Sequence, residues 1–134
     1  MDPTGDFIRH KDILLINSTR LSYEKAFRTV TDLEGLFIPA HVDRQAFGLI
    51  YRLGFVPPEP QADALEISRH ISPEMALEQY PQLADFPLIQ SGDVHFLDDF
   101  LGMNRFSIEK PTIAEIKMAL RGQKGRRFSL NPRN

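Results

Sequence analysis

The sequence predicts a single α/β domain, a largely parallel sheet with helices covering both faces. Short apolar runs of strand length alternate with stretches whose apolar residues recur at helical spacing. The breaks between them are mostly short and rich in turn residues, as in βα-type layering. A chain of 134 residues has room for one core and not for two ordinary ones. Residues 1–12 are predicted as a polar lead-in, 13–130 as the domain and 131–134 as a tail.

Ile13-Leu14-Leu15-Ile16 is the first predicted strand. Ser22 is placed to cap a helix, with Glu24 in the first turn against the helix dipole. Ala26, Phe27, Val30 and Leu33 carry its apolar stripe, and Gly35 sits where a C-terminal glycine belongs. Leu36-Phe37-Ile38 reads as a second, buried strand, with Pro39-Ala40-His41 leaving its carboxyl end. Asp43 is expected to cap a helix over 44–53 whose apolar face is Ala46, Phe47, Leu49, Ile50 and Leu53, ended by Gly54. Val56-Pro57-Pro58-Glu59-Pro60 is a stiff loop. Ala64-Leu65-Glu66-Ile67 is the third strand, and Ser72-Pro73 opens a short helix with proline at its first position. Leu88-Ile89 and Phe106-Ser107-Ile108 are the fourth and fifth strands. Thr112-Ile113-Ala114-Glu115 reads as a capping box on a helix that runs through Leu120 and stops at Gly122. Arg127-Phe128-Ser129-Leu130 is a last edge strand.

The composition narrows the function. Hydrophobic residues make up 42% and charged residues 25%, the balance of a globular chain. No apolar run approaches the ~18 residues that span a bilayer, and the N-terminus lacks the apolar core of a secretory signal. Cysteine is absent, which excludes disulfides and thiolate metal sites and suits the cytoplasm. The net charge of −2 conceals an asymmetry. Residues 121–134 carry five basic side chains and no acidic one, leaving 11 basic against 18 acidic over positions 1–120. A body of that sign repels a phosphate backbone and argues against general nucleic-acid binding.

Asp93-x-His95 is the sharpest chemical signal. On extended chain the two side chains share a face about 7 Å apart, a spacing at which a carboxylate and an imidazole can grip one ion or two adjacent ones. Ser91-Gly92 before them permits a tight turn. Alone, the motif is a weak signal and reads more readily as an Asx turn beside a surface histidine. His41, at the end of a predicted buried strand, is open to a ligand role or to that of a hydrogen-bonded core histidine. Arg44 can bring a guanidinium to a phosphate or be a plain surface arginine beside Asp43. His70 lies just past the third strand, as a weaker candidate or a solvated loop residue. Glu66 has outward as its default direction, with the strand-end cleft as the alternative. No serine or cysteine nucleophile pattern and no Gly-rich phosphate loop is present.

The blocks Gly35–Arg44, Leu53–Pro58 and Ala62–Ser68, followed by Ser91-Gly92-Asp93-Val94-His95 and Gly125-Arg126-Arg127, resemble in order the later half of proteins of the polymerase and histidinol phosphatase (PHP) superfamily. The last metal motif there is usually Ser-x-Asp-x-His. The resemblance implies a partial, distorted βα barrel with metals (zinc, manganese or iron) at the strand carboxyl ends, and hydrolysis of a small phosphoester by metal-activated water. It implies that His41, Asp93 and His95 are metal ligands. Arg44 and His70, from their own places in the chain, remain weaker candidates for contact with the substrate phosphate. The sequence departs from the family in lacking the N-terminal His-x-His and the further ligands of the first half, with His10 alone in the lead-in. The metal site is therefore expected to be incomplete in this chain. Two functional readings follow: a metal-dependent phosphoesterase completed by a second chain or copy, or a non-catalytic half-barrel module. An opened barrel exposes a strand edge, so self-association as a homodimer is expected in either case.

Overall fold

The computed structural model describes residues 19–54 and 62–130. The lead-in, the predicted strand at 13–16, the proline-rich loop at 56–60 and the tail at 131–134 lie outside the described residues. Helix α1 spans Tyr23–Asp32 with Ser22 as its N-cap, the hydroxyl accepting from the Lys25 N–H. It ends in a Schellman turn. Gly35 N–H donates to the Val30 carbonyl and Glu34 N–H to that of Thr31. The left-handed residue of this turn is Glu34, at φ 57°, and not Gly35. Gly35 is required for a different reason, since a Cβ there would meet the Val30 side chain at 2.8 Å. The helix docks through Tyr23 and Phe27, whose rings meet Phe37 edge-on at 5.3 and 5.8 Å.

Strand β1 (Leu65–Glu66) pairs in parallel with β2 (Leu88–Ile89). Leu65 N–H donates to the Pro87 carbonyl and Ile67 N–H to that of Ile89. On the other side of β1 the expected strand at 36–38 is extended and hydrogen-bonded but not a regular strand. Asp63 N–H donates to the Phe37 carbonyl and Glu66 N–H to that of Pro39. In a parallel ladder the first of these bonds requires a return donation from residue 39 to the Asp63 carbonyl. Pro39 has no N–H to give, so the ladder breaks there and resumes out of register.

The helix expected over 44–53 is shorter, with α2 spanning Leu49–Leu53 between Gly48 and a left-handed Gly54. Ala46 and Phe47 are exposed and in turns, because Asp43 caps no helix: both its carboxylate oxygens are engaged by Ser68. Helix α3 (Pro73–Gln79) is capped by Ser72 as its sequence predicts, and a 3₁₀ turn, Pro81–Asp85, leads into β2. Strand β3 (Asn104–Ser107) and strand β4 (Arg127–Leu130) form an antiparallel ribbon, with Phe106 opposite Phe128. Helix α4 (Ile113–Leu120) crosses between them. The largely parallel sheet is thus corrected: one pair is parallel and one antiparallel, and among the described residues the strands form no barrel. The capping box is half realised. Thr112 accepts from the Glu115 N–H, but the Glu115 carboxylate turns to the Glu109 N–H and to Arg126.

The core falls into two clusters on opposite faces of β1, following its alternation. Leu65 and Ile67 pack with Val42, Ala76 and Leu83 on one face. Ala64 packs with Ile89 and Leu120 on the other. Two polar side chains tie the layers. Asn104 uses its amide as a strand backbone would, accepting from the Gln90 N–H and donating to the Gln90 carbonyl, which joins the ribbon to β2. The buried Gln90 amide donates to the Ser68 and Ile71 carbonyls and fixes the exit of β1 against that of β2. Among the described residues no helix is long and apolar enough to cross a membrane.

Candidate functional site

Three extended segments, 36–39, β1 and β2, run side by side, and their carboxyl ends open on one cleft of about 280 Å³. Strand carboxyl ends are where open α/β folds bind ligands. The first exit is turned by Val42, whose N–H donates to the Glu66 carbonyl and whose side chain is fully buried. His41 precedes it at φ 30°. Ser68-Arg69-His70 form the second exit. Gly92-Asp93 form the third, with Gly92 at φ 90° and Asp93 at φ 53°. Non-glycine residues held at positive φ store backbone strain, and such residues concentrate at functional sites. Two of the five in the described residues, His41 and Asp93, line this cleft.

Side chains staple the exits together. Asp43 takes the Ser68 N–H at 2.7 Å and the Ser68 hydroxyl at 2.6 Å, tying the first exit to the second. Arg69 donates through Nε and Nη2 to the Gly92 carbonyl at 3.0 and 2.6 Å, tying the second to the third. Arg44 Nη1 meets Asp93 Oδ2 at 2.6 Å, tying the third back to the first. Glycine is needed at 92 because an added Cβ would meet Leu101 at 2.8 Å and Arg69 Nη2 at 3.0 Å.

His41, Arg44, His70, Asp93 and His95 all line this cleft. Asp93 Oδ1 lies 3.5 Å from His95 Nε2. The hydrogen bond from Arg44 holds the Asp93 carboxyl below its usual range. The charges of Arg44, His41 and His95 add to the effect, and desolvation opposes it. His41 Nδ1 is buried without a hydrogen-bond partner. His70 and His95 are exposed. Glu66 is not directed outward, the default for its position. It is buried and lines the cleft, because it shares the α4-facing side of β1 with Ala64. Sequence reasoning did not give Arg69 and Asp43 their stapling roles. Both flank candidate residues in the chain, but their partners lie more than twenty residues away.

The cleft lining carries imidazoles and carboxylates, donor types that divalent cations take. The positions are not yet those of a closed ligand set. Among the described residues no group of three or more His, Asp or Glu side chains is arranged to hold one ion, and a guanidinium sits on Asp93 where a cation would. No family model, no curated protein and no solved structure matches this chain.

Proposed function

We propose that the chain is the C-terminal part of a PHP-type, metal-dependent phosphoesterase, a partial βα barrel in which His41, Asp93 and His95 contribute to a divalent-metal site (zinc, manganese or iron). The observation that carries this reading is the convergence of these residues, from stretches about fifty positions apart, on one strand-end cleft. The strained backbone at His41 and Asp93 supports it, as does the unpartnered His41 Nδ1. When bound, the metal supplies a water made acidic enough to attack phosphorus near neutral pH. Arg44 and His70 line the same cleft, where a phosphate's oxygens would need positive charge and donors. The acidic body of the chain favours a small phosphoester over a nucleic acid, and the cysteine-free sequence suits the cytoplasm.

The test is hydrolysis of a chromogenic phosphomonoester with added manganese or zinc, run beside His95→Ala. Metal-dependent turnover that the variant lacks supports the reading. No turnover with either metal, by the chain alone or as an oligomer, rejects it as an enzyme.

The second reading is a non-catalytic half-barrel module that self-associates. The exposed Phe96, Leu97 and Phe100 favour it, forming an apolar rim just beyond His95. Light scattering at micromolar concentration tests the self-association that both readings expect, with a dimer dispersed by Leu97→Glu supporting it and a monomer rejecting it; the hydrolysis assay separates the module from the enzyme.

A further inference from the structure

At the amino ends of β1 and β2, opposite the cleft, lies a second cavity of about 320 Å³, lined also by residues of α1 and α4. Pockets for small molecules run from about 300 to 1,000 Å³. The apolar lining includes Phe27 from α1 and Phe86 just before β2. The polar lining centres on Asp63, whose side chain is only 5% exposed. Its carboxylate accepts from the Phe37 N–H at 3.0 Å and from Arg121 Nη2 at 3.1 Å. Lys117 Nζ stands 3.5 Å from the same carboxylate.

Asp63 is well served, and the two cations around it are not. The Lys117 side chain is 19% exposed, and among the described residues its ammonium makes no hydrogen bond and pairs only with Asp63. Arg121 gives Asp63 a single hydrogen bond among the described residues, which leaves most of its guanidinium donors to spare. Two positive charges against one buried carboxylate leave a surplus of one, beside apolar side chains. A charged acceptor takes such donors better than a neutral one does. Asp85 also lines the cavity, exposed to solvent, and tells against a ligand with more than one negative charge. We infer that this cavity binds a small aromatic monocarboxylate, its carboxylate on Lys117 and Arg121 and its ring against Phe27 and Phe86. Packing of ring on ring favours a flat aromatic body over an aliphatic one. This holds whether or not the cleft hydrolyses phosphoesters, since the two share no lining residue.

The test is titration of the 134-residue chain with benzoate, followed by amide chemical shifts. Benzyl alcohol and inorganic phosphate are the comparison probes, and Lys117→Met, Thr31→Phe and His95→Ala are run beside the wild type. Benzoate is expected to bind saturably and to shift the amides of Phe27, Asp63, Phe86 and Lys117. Lys117→Met keeps the apolar stem without the charge and should weaken binding at least about tenfold, the loss that goes with a hydrogen bond to a charged group. Thr31 is exposed on α1 and lines the cavity. Thr31→Phe leaves every charge in place, fills the space and should abolish binding, so the outcome does not depend on how well Lys117→Met folds. His95→Ala, in the cleft, should bind as the wild type does. A wild type that shows no saturable binding of benzoate overturns the assignment. Equal affinity for benzyl alcohol, tighter binding of phosphate, or unchanged binding in Thr31→Phe does the same. Shifts confined to the cleft overturn it too, by placing the carboxylate there.

Discussion

Replacing Asp43 with alanine tests whether side-chain staples or the sheet alone hold the cleft. The carboxylate accepts two short hydrogen bonds from Ser68, one from its N–H and one from its hydroxyl, and Ser68 is itself buried. Hydrogen bonds to a charged acceptor contribute about 1.5–3 kcal/mol each, and a buried donor left unpaired carries its own penalty of about 1–3 kcal/mol. The Ser68 hydroxyl can rotate to a new partner and the N–H cannot. The net loss is therefore about 3 kcal/mol, a large part of the ~5–15 kcal/mol that stabilises a typical domain. For a chain of this size that lowers Tm by about 10 °C. Urea unfolding of the wild type, Asp43→Ala, Ser68→Ala and the double variant measures it. Ser68→Ala keeps the backbone bond and should cost about 1 kcal/mol, with a coupling of about 1 kcal/mol across the cycle. An Asp43→Ala loss below about 1 kcal/mol, or no coupling with Ser68, would refute the staple.

Gly92→Ala combines a left-handed backbone with a clash against Leu101. It should cost at least about 1–2 kcal/mol in chemical denaturation, and a neutral result would mean that the third exit moves freely. The Glu115 carboxyl is lowered to about 2 by its hydrogen bond from Arg126. Its contribution to stability is thus present above the ordinary carboxylate range and lost as pH falls from about 4.5 toward about 2. Urea midpoints followed down to pH 2.5 should fall more steeply for the wild type than for Glu115→Gln, and parallel curves would contradict the pairing.

Local chemistry made much of the fold legible. Ser22, Ser72 and Thr112 announce α1, α3 and α4 because a capping hydroxyl acts within three residues of itself. Gly54 and Gly122 end their helices because they alone take the left-handed turn cheaply. What escaped depends on distant partners. The helix expected from Asp43 begins only at Leu49, since Ser68 claims the capping carboxylate. The strand at 36–38 loses its regularity because β1 asks residue 39 for an N–H that proline lacks. The antiparallel return of β4 onto β3 is set by the packing of α4 against Phe106 and Phe128, which no local period reports. At the candidate site, His41, Asp93 and His95 are legible from residue type and from position at strand ends, and the cleft gathers them. The burial of Glu66 follows from which face of β1 meets α4, a fact of tertiary packing.

The three staples around the cleft form a closed loop: Asp43 to Ser68, Arg69 to Gly92, and Asp93 to Arg44. A hoop with three clasps behaves differently from a row of three. Opening one clasp leaves an arc in which every member is still held to a neighbour, so a ligand can take Asp93 away from Arg44 without letting the rim spread. Opening a second leaves one segment outside the loop, held only by its main-chain bonds and the Gln90 amide.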